Sequence, residues 1–162
     1  MENFEFWYQV QRPRVLAACM ALAYDVDTAR EATDEAFTRA LERWPAVGAM
    51  ASPGGWAQTV ALNYLRRGLR RRRRERSGAA RRPSVPPPGL PDAELWAAVR
   101  SLPHRQQTAV VLRYVHDLSY EQIATTMAIS RGTVASTLAA ARANLAAALS
   151  EPDYLSEERV DG

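Results

Sequence analysis

The sequence contains no lysine; all 21 of its basic residues are arginine. This bias records coding preference as much as chemistry, yet it leaves every cationic contact to a guanidinium, which suits phosphate wherever geometry matters. There is one cysteine, Cys19, so no internal disulfide can form. Its place between Ala and Met on a helical face marks it as a small buried hydrophobe. Histidine is almost as scarce, and neither His104 nor His116 is joined by a cysteine or carboxylate pair at metal-ligand spacing. The two read as a helix-start residue and a turn residue. No apolar run is long enough to span a bilayer and no signal-peptide pattern is present, which points to a cytoplasmic protein with no membrane partner. A glycine-rich phosphate loop, a nucleophile motif and a zinc-protease helix are also missing, so the expectation is a non-enzyme with no metal and no cofactor.

What is present is alanine-rich apolar sequence, 47% of 162 residues, enough for one medium domain or two small ones with thin cores. Charge is sharply segregated beneath a net +3. Residues 1–65 carry eight acids against five arginines, residues 66–90 carry ten arginines against Glu75 alone, and residues 91–162 carry nine acids against six arginines. Two acidic bodies flank a basic strap, and the layout is read as all-α. The domains are 1–76, a proline-rich linker at 77–91, a second domain at 92–150 and an acidic tail at 151–162.

Helical spacing governs the first domain. Met1 to Tyr24 carries an aromatic cluster of Phe4, Trp7 and Tyr8, read as core, and an apolar face of Val15, Leu16, Cys19, Met20 and Ala23. Pro13 is expected to interrupt that helix. A second helix opens at Asp27 or Thr28 and ends before Pro45. Its inward stripe is Ala29, Ala32, Thr33, Ala36, Phe37, Ala40 and Leu41, and its acidic patch of Glu31, Asp34 and Glu35 is either a solvated face or a contact surface. Pro45 to Ser52 reads as a loop. Ser52 and Pro53 then start a helix carrying Trp56, Val60, Leu62, Tyr64, Leu65 and Leu69. That helix runs into eight arginines between Arg66 and Arg76, a density that suits a polyanion better than water.

The second domain opens with helices from Asp92 to Arg100 and from His104 to about Tyr114. It culminates in Ser119 to Leu149, where Ser119 and Gln122 form a capping box and Ser130 caps a longer helix. Ile123, Ala124 and Met127 face one way, and Val134, Leu138, Ala141 and Leu145 repeat at three and four, so each short stripe needs the other. This is a helix-turn-helix with its second helix placed to enter a major groove.

These segments resemble the extracytoplasmic-function (ECF) sigma factors, small members of the sigma-70 family of bacterial RNA polymerase specificity subunits. TAREATDEAFTRAL keeps Ala29, Glu35, Phe37 and Arg39 of a family run, and PGGWAQTVALNYLRRGLRR keeps Pro53, Trp56, Val60, Ala61, Asn63 and the arginines. Leu102, Pro103, Leu112, Arg113, Tyr114, Asp117 to Tyr120, Ile123, Ala124, Ile129, Ser130, Gly132 to Val134, Ser136, Leu138, Ala141 and Arg142 follow the family's second-domain pattern. The resemblance spans residues 4 to 149 and implies promoter-directed transcription initiation. By that resemblance Asp34, Glu35 and Arg39 would dock on the clamp of the polymerase largest subunit. Asn63, Arg66, Arg67, Arg70 and Arg71 would face minus-10 DNA, while the loop Pro45 to Ser52 and the following helix start would hold a flipped base. Trp56 is assigned to packing instead. Ser130, Arg131, Thr133, Ser136 and Arg142 would lie nearest minus-35 DNA.

The chain departs from the pattern on the recognition helix, where Ala135, Thr137 and Ala140 occupy usually basic positions. Losing three phosphate contacts weakens duplex binding. The alternative to a minus-35 reader is therefore a sigma-like regulator whose second domain binds a protein. An anti-sigma or activator protein is left open as a further partner. Ala128 stands at a turn position often held by glycine, where positive φ costs about 1 kcal/mol.

Overall fold

The computed structural model describes residues 3–23, 25–75 and 92–150, with the last four of the middle stretch described by their backbone alone. The expected linker and acidic tail lie outside the described residues. Eight helices and no strands form among those residues: α1 (Phe4–Leu22), α2 (Val26–Glu42), α3 (Trp44–Val47), α4 (Pro53–Glu75), α5 (Ala93–Ser101), α6 (His104–Tyr114), α7 (Tyr120–Met127) and α8 (Arg131–Ser150).

Local chemistry accounts for most boundaries. Asn3 accepts the Glu5 amide at 3.2 Å to start α1, and Ser52 accepts the Gly55 amide at 3.2 Å to start α4. The cap of α2 is Asp25, two residues before the expected start, because its carboxylate accepts both the Thr28 amide (2.7 Å) and the Thr28 hydroxyl (2.8 Å). The short helix Trp44–Val47 overlaps the stretch from Pro45 to Ser52 expected to be a loop, with Pro45 near its start. Pro13 does not break α1, which runs continuously through it. Both Pro13 and Gln9 are exposed, so the Gln9 carbonyl left without a partner meets water. Burial of Trp7 and Val15 on either side offsets the roughly 3 kcal/mol a proline costs in a helix interior.

Among the first four helices α2 packs against α1 and α4. Ala29, Ala32, Ala36 and Ala40 on α2, with Ala57 and Ala61 on α4, are fully buried, and such small residues let helix backbones approach closely. Trp7, Phe37 and Trp44 close the end, with Trp7 at 5.1 Å from Phe37 and 4.9 Å from Trp44 between ring centres. Leu41, expected inward, is 58% exposed. It follows Ala40 by about 100° around the helix, which turns it off the buried face onto the rim of a groove with Phe4, Tyr8, Asp34, Phe37 and Thr38.

Among the last four helices α8 packs on α5, α6 and α7. Ile123 and Ala124 from α7 meet a helix whose Val134, Leu138 and Ala141 have no exposure, and both sides of the capping box at Ser119 and Gln122 are formed. Ala128 ends α7 at φ 55°, ψ 46°, in the left-handed region. These two groups of helices also pack together, α1 on α5 and α4 on both α6 and α7, and their buried residues form one cluster.

Candidate nucleic-acid interface

Three surfaces carry the residues singled out from the sequence. On the first, Asp34 is exposed and pairs with Arg12 across helices at 3.1 Å, while Glu35 accepts Arg39 Nε at 2.7 Å. All four side chains are at least 30% exposed, so these pairs add little stability and remain free to exchange partners. Beside them the aromatic groove of Phe4, Tyr8, Phe37 and Leu41 encloses about 320 Å³. Leu41 and the α1 residues of this groove were not recognised from sequence as surface, since their spacing reads equally well as core.

The second surface is α4. Arg66, Arg67, Arg70 and Arg71 are all exposed on one continuous helix, an arrangement that presents guanidinium groups along a nucleic-acid backbone. Trp56 is half-buried and packs on the core, in keeping with its assignment to packing. Asn63 is not free. Its Oδ1 accepts a hydrogen bond from His104 Nε2 of the second domain at 2.9 Å. One turn and a half earlier on α4, buried Gln58 accepts from His116 Nε2 at 2.8 Å and reaches Cys19 Sγ at 3.9 Å. Burial, with the Arg66 and Arg70 charges adding to it, lowers the His104 pKa to about 4. Burial, followed by Arg14 and opposed by Asp117, does the same to His116, at about 4. Both imidazoles are therefore neutral at pH 7. Burial also pushes the Cys19 thiol up to about 12, so it is inert. Neither the role of the histidines nor that of Gln58 could be read from a sequence in which each partner lies 41 or 58 residues away.

The third surface is the helix-turn-helix. Ser130 Oγ accepts the Thr133 amide at 3.1 Å and lies 2.8 Å from the Thr133 hydroxyl; the Ser136 hydroxyl donates to the Thr133 carbonyl at 3.1 Å. These side chains stabilise the start of α8 while remaining at the surface. Both charges on α8 are already engaged. Arg131 pairs with Glu121 at 3.1 Å, and Arg142 donates from Nε to the Tyr114 hydroxyl at 2.9 Å and from Nη2 to the Tyr120 hydroxyl at 3.3 Å. The Arg113 guanidinium lies 5.4 Å from the centre of the Tyr120 ring. Ala135 and Ala140 are exposed and Thr137 half-exposed, so the three positions without charge do lie along an open face. On the other side of α8 an apolar cleft of about 420 Å³ opens between α5, α6 and α8, walled by Leu95, Trp96, Val99, Val110 and Leu145, with Arg142 at its edge.

Among the described residues no group of three or more potential metal ligands comes together, and no helix is long and apolar enough to cross a membrane.

Residues 92–145 match the family "Sigma-70, region 4". An uncharacterised protein of Rhizobium meliloti is 31% identical over 157 residues, 85% of this chain but 36% of that longer protein, so the chain spans about a third of that relative's length. The "RNA polymerase sigma-E factor" of Streptomyces avermitilis is 28% identical over 93% of this chain and 87% of its own. The "ECF RNA polymerase sigma factor EcfG" of Rhodopseudomonas palustris is 29% identical over 85% and 80%. Among solved structures, the sigma factor RpoE of Bartonella quintana, crystallised in complex with the anti-sigma factor NepR, superposes with a TM-score of 0.71 at 21% identity, over 92% of this chain and 98% of that one.

Proposed function

We propose that this chain, which belongs to the extracytoplasmic-function sigma factors of the sigma-70 family, directs initiation by placing two unequal DNA-facing surfaces on core RNA polymerase. Core polymerase and promoter DNA are the partners of such a factor, and its task is regulatory binding in the cytoplasm. The first domain docks on the clamp of the polymerase largest subunit through the ridge of Asp34, Glu35 and Arg39. The exposed Asp34 at the rim of an aromatic groove carries this reading, since a charged rim around an apolar floor suits a protein partner. Asn63 and the row Arg66, Arg67, Arg70 and Arg71 then take the minus-10 strand. Strand capture needs a pocket and hydrogen-bond donors and no catalytic group, because binding free energy drives the opening.

The second domain presents Ser130, Arg131, Thr133, Ser136 and Arg142 to minus-35 DNA. Arg131 already pairs with Glu121 and Arg142 donates to two tyrosine hydroxyls, so each would share or exchange an exposed partner when it meets a phosphate. A second reading, in which this domain binds a protein, is favoured by the apolar cleft of about 420 Å³ beside α8. The neighbouring fold's capture with an anti-sigma factor offers a precedent.

The test is co-purification with core polymerase. Asp34→Arg combined with Glu35→Arg reverses the charge of the docking ridge without entering the core, and is expected to weaken core binding by at least tenfold with helicity retained. Unchanged core affinity in that variant would remove the docking assignment.

A further inference from the structure

Two tyrosines on the helix-turn-helix surface have no part in the reading above. Tyr114 closes α6 and is 56% exposed, and Tyr120 opens α7. Their hydroxyls both accept from Arg142 of α8, one from Nε at 2.9 Å and the other from Nη2 at 3.3 Å, so a single guanidinium joins three helices. Each ring is itself held. Tyr114 lines the apolar cleft with Trp96 and Leu145. The Tyr120 ring lies 5.4 Å from the Arg113 guanidinium, whose Nη1 donates to the Leu118 carbonyl at 2.8 Å. A guanidinium on a long flexible stem ordinarily samples many rotamers at a surface, and two fixed acceptors remove most of that freedom.

Which donors are taken matters as much as how many. Arginine presents its N–H donors as a rigid planar fork. Nε and Nη2 share one edge of that fork, and the tyrosines fill it. The adjoining edge, made by Nη1 and the second N–H of Nη2, keeps the geometry that meets two oxygens of one phosphate. Charge points the same way. Arg131, about three turns earlier on the same side of α8, touches the Glu121 carboxylate at 3.1 Å, which offsets its charge, whereas neutral hydroxyls leave the charge of Arg142 whole. A carboxylate in place of either hydroxyl would orient Arg142 equally well and cancel the charge a phosphate needs. Resting on the minus-35 reading above, we propose that Tyr114 and Tyr120 are positioning residues: they hold the exposed Arg142 with its open edge outward, ready for one backbone phosphate of minus-35 DNA. The side chain is ordered before DNA arrives, so binding does not have to order it again.

The experiment is a double-mutant cycle in the full chain. Tyr114→Phe plus Tyr120→Phe keeps both rings and every charge, and Arg142→Gln removes the cation. Anisotropy of a labelled promoter duplex is measured across a salt series for the wild type, each variant and their combination. The tyrosine variant is expected to bind about three- to tenfold more weakly than the wild type. Arg142→Gln is expected to bind more weakly with a salt slope shallower by about 0.9. Placed on Arg142→Gln, the tyrosine changes are expected to lose nothing further, because no guanidinium remains to be oriented. Arg142→Lys, which has the charge without the fork, is expected to bind no better than the tyrosine variant. A loss that persists undiminished in the Arg142→Gln background would assign the tyrosines to packing and overturn the proposal, as would a tyrosine variant that binds like the wild type. Nitrogen NMR of the free chain reads the orientation itself. The Arg142 Nε–H signal, identified by its absence from Arg142→Lys, is expected to shift or broaden in the tyrosine variant, and an unmoved signal likewise overturns the proposal. A wild-type chain that binds no duplex at any salt counts against the minus-35 reading and takes the proposal with it, whereas absent coupling with duplex binding intact overturns the proposal alone.

Discussion

Adding charge to α8 offers the sharpest measure of how much minus-35 readout this chain retains. Ala135→Lys with Thr137→Arg places two cations on the open face of the helix, while Val134, Leu138 and Ala141, which have no exposure, keep the core unchanged. Exposed substitutions of this kind alter stability by about 0.5 kcal/mol or less. Each new phosphate contact steepens the fall of log affinity with log salt by about 0.9, so the pair adds about 1.8 to the slope. Diluting salt fourfold, from about 200 to about 50 mM, should then strengthen duplex binding by the variant about 12-fold more than it strengthens the wild type. The starting slope is expected to be shallow, because Arg131 and Arg142 are the only cations along α8. Since α8 packs on α5, α6 and α7, its outer face is accessible even with the domains closed. The assay is anisotropy of a labelled promoter duplex and a scrambled duplex, titrated with each chain across a salt series. Parallel slopes for wild type and variant would show that these positions do not face phosphate. Tight, sequence-selective binding by the wild type would reject the reduced-readout reading itself.

Two further outcomes follow from the geometry. His104 and His116 titrate near 4 in the folded chain against an ordinary value of 6.5, so the folded state binds fewer protons than the unfolded one. Their stabilising effect is fully present above about pH 6.5 and is lost as pH falls toward 4. At pH 5 each should cost about 1 kcal/mol once solvent screening is allowed for, so the urea midpoint should fall between pH 7.5 and 5 and His104→Gln plus His116→Gln should flatten that fall; equal pH dependence in the two chains would contradict the burial argument. Ala128→Gly should stabilise the chain by about 0.5 kcal/mol, a left-handed alanine costing about 1 kcal/mol and the added freedom of unfolded glycine returning about half of it; a lowered melting temperature would mean that the exposed Ala128 methyl packs on something.

Much of the second domain was legible because its information is local. Ser119, Gln122 and Ser130 act within three residues of themselves, and the stripes Ile123–Ala124 and Val134–Leu138–Ala141 repeat at the helical period, so caps and faces followed directly from the order of residues. The same holds for the aromatic core around Trp7 and Phe37 and for the exposed arginine row on α4. Periodicity failed where an element ends or where a neighbour decides. Leu41 matched the α2 stripe yet sits past Ala40 on the rim of the groove it shares with Phe4 and Tyr8 of α1, 58% exposed, and Pro13 carried a local breaking signal that burial on both sides of it overcame.

What only the tertiary structure decided is the pairing of polar groups far apart in the chain. A hydrogen bond such as His104 to Asn63 or His116 to Gln58 imposes no spacing on the sequence, because its partners are brought together by helices that pack for apolar reasons of their own. The sequence by itself determined most of the helices, most of the faces they bury and where the positive charge lies; α3, the unbroken α1 and the exposed Leu41 it did not. The closing of one domain on the other, the occupation of Asn63 and the engagement of both arginines on α8 depend on distances between elements, and no residue order states those.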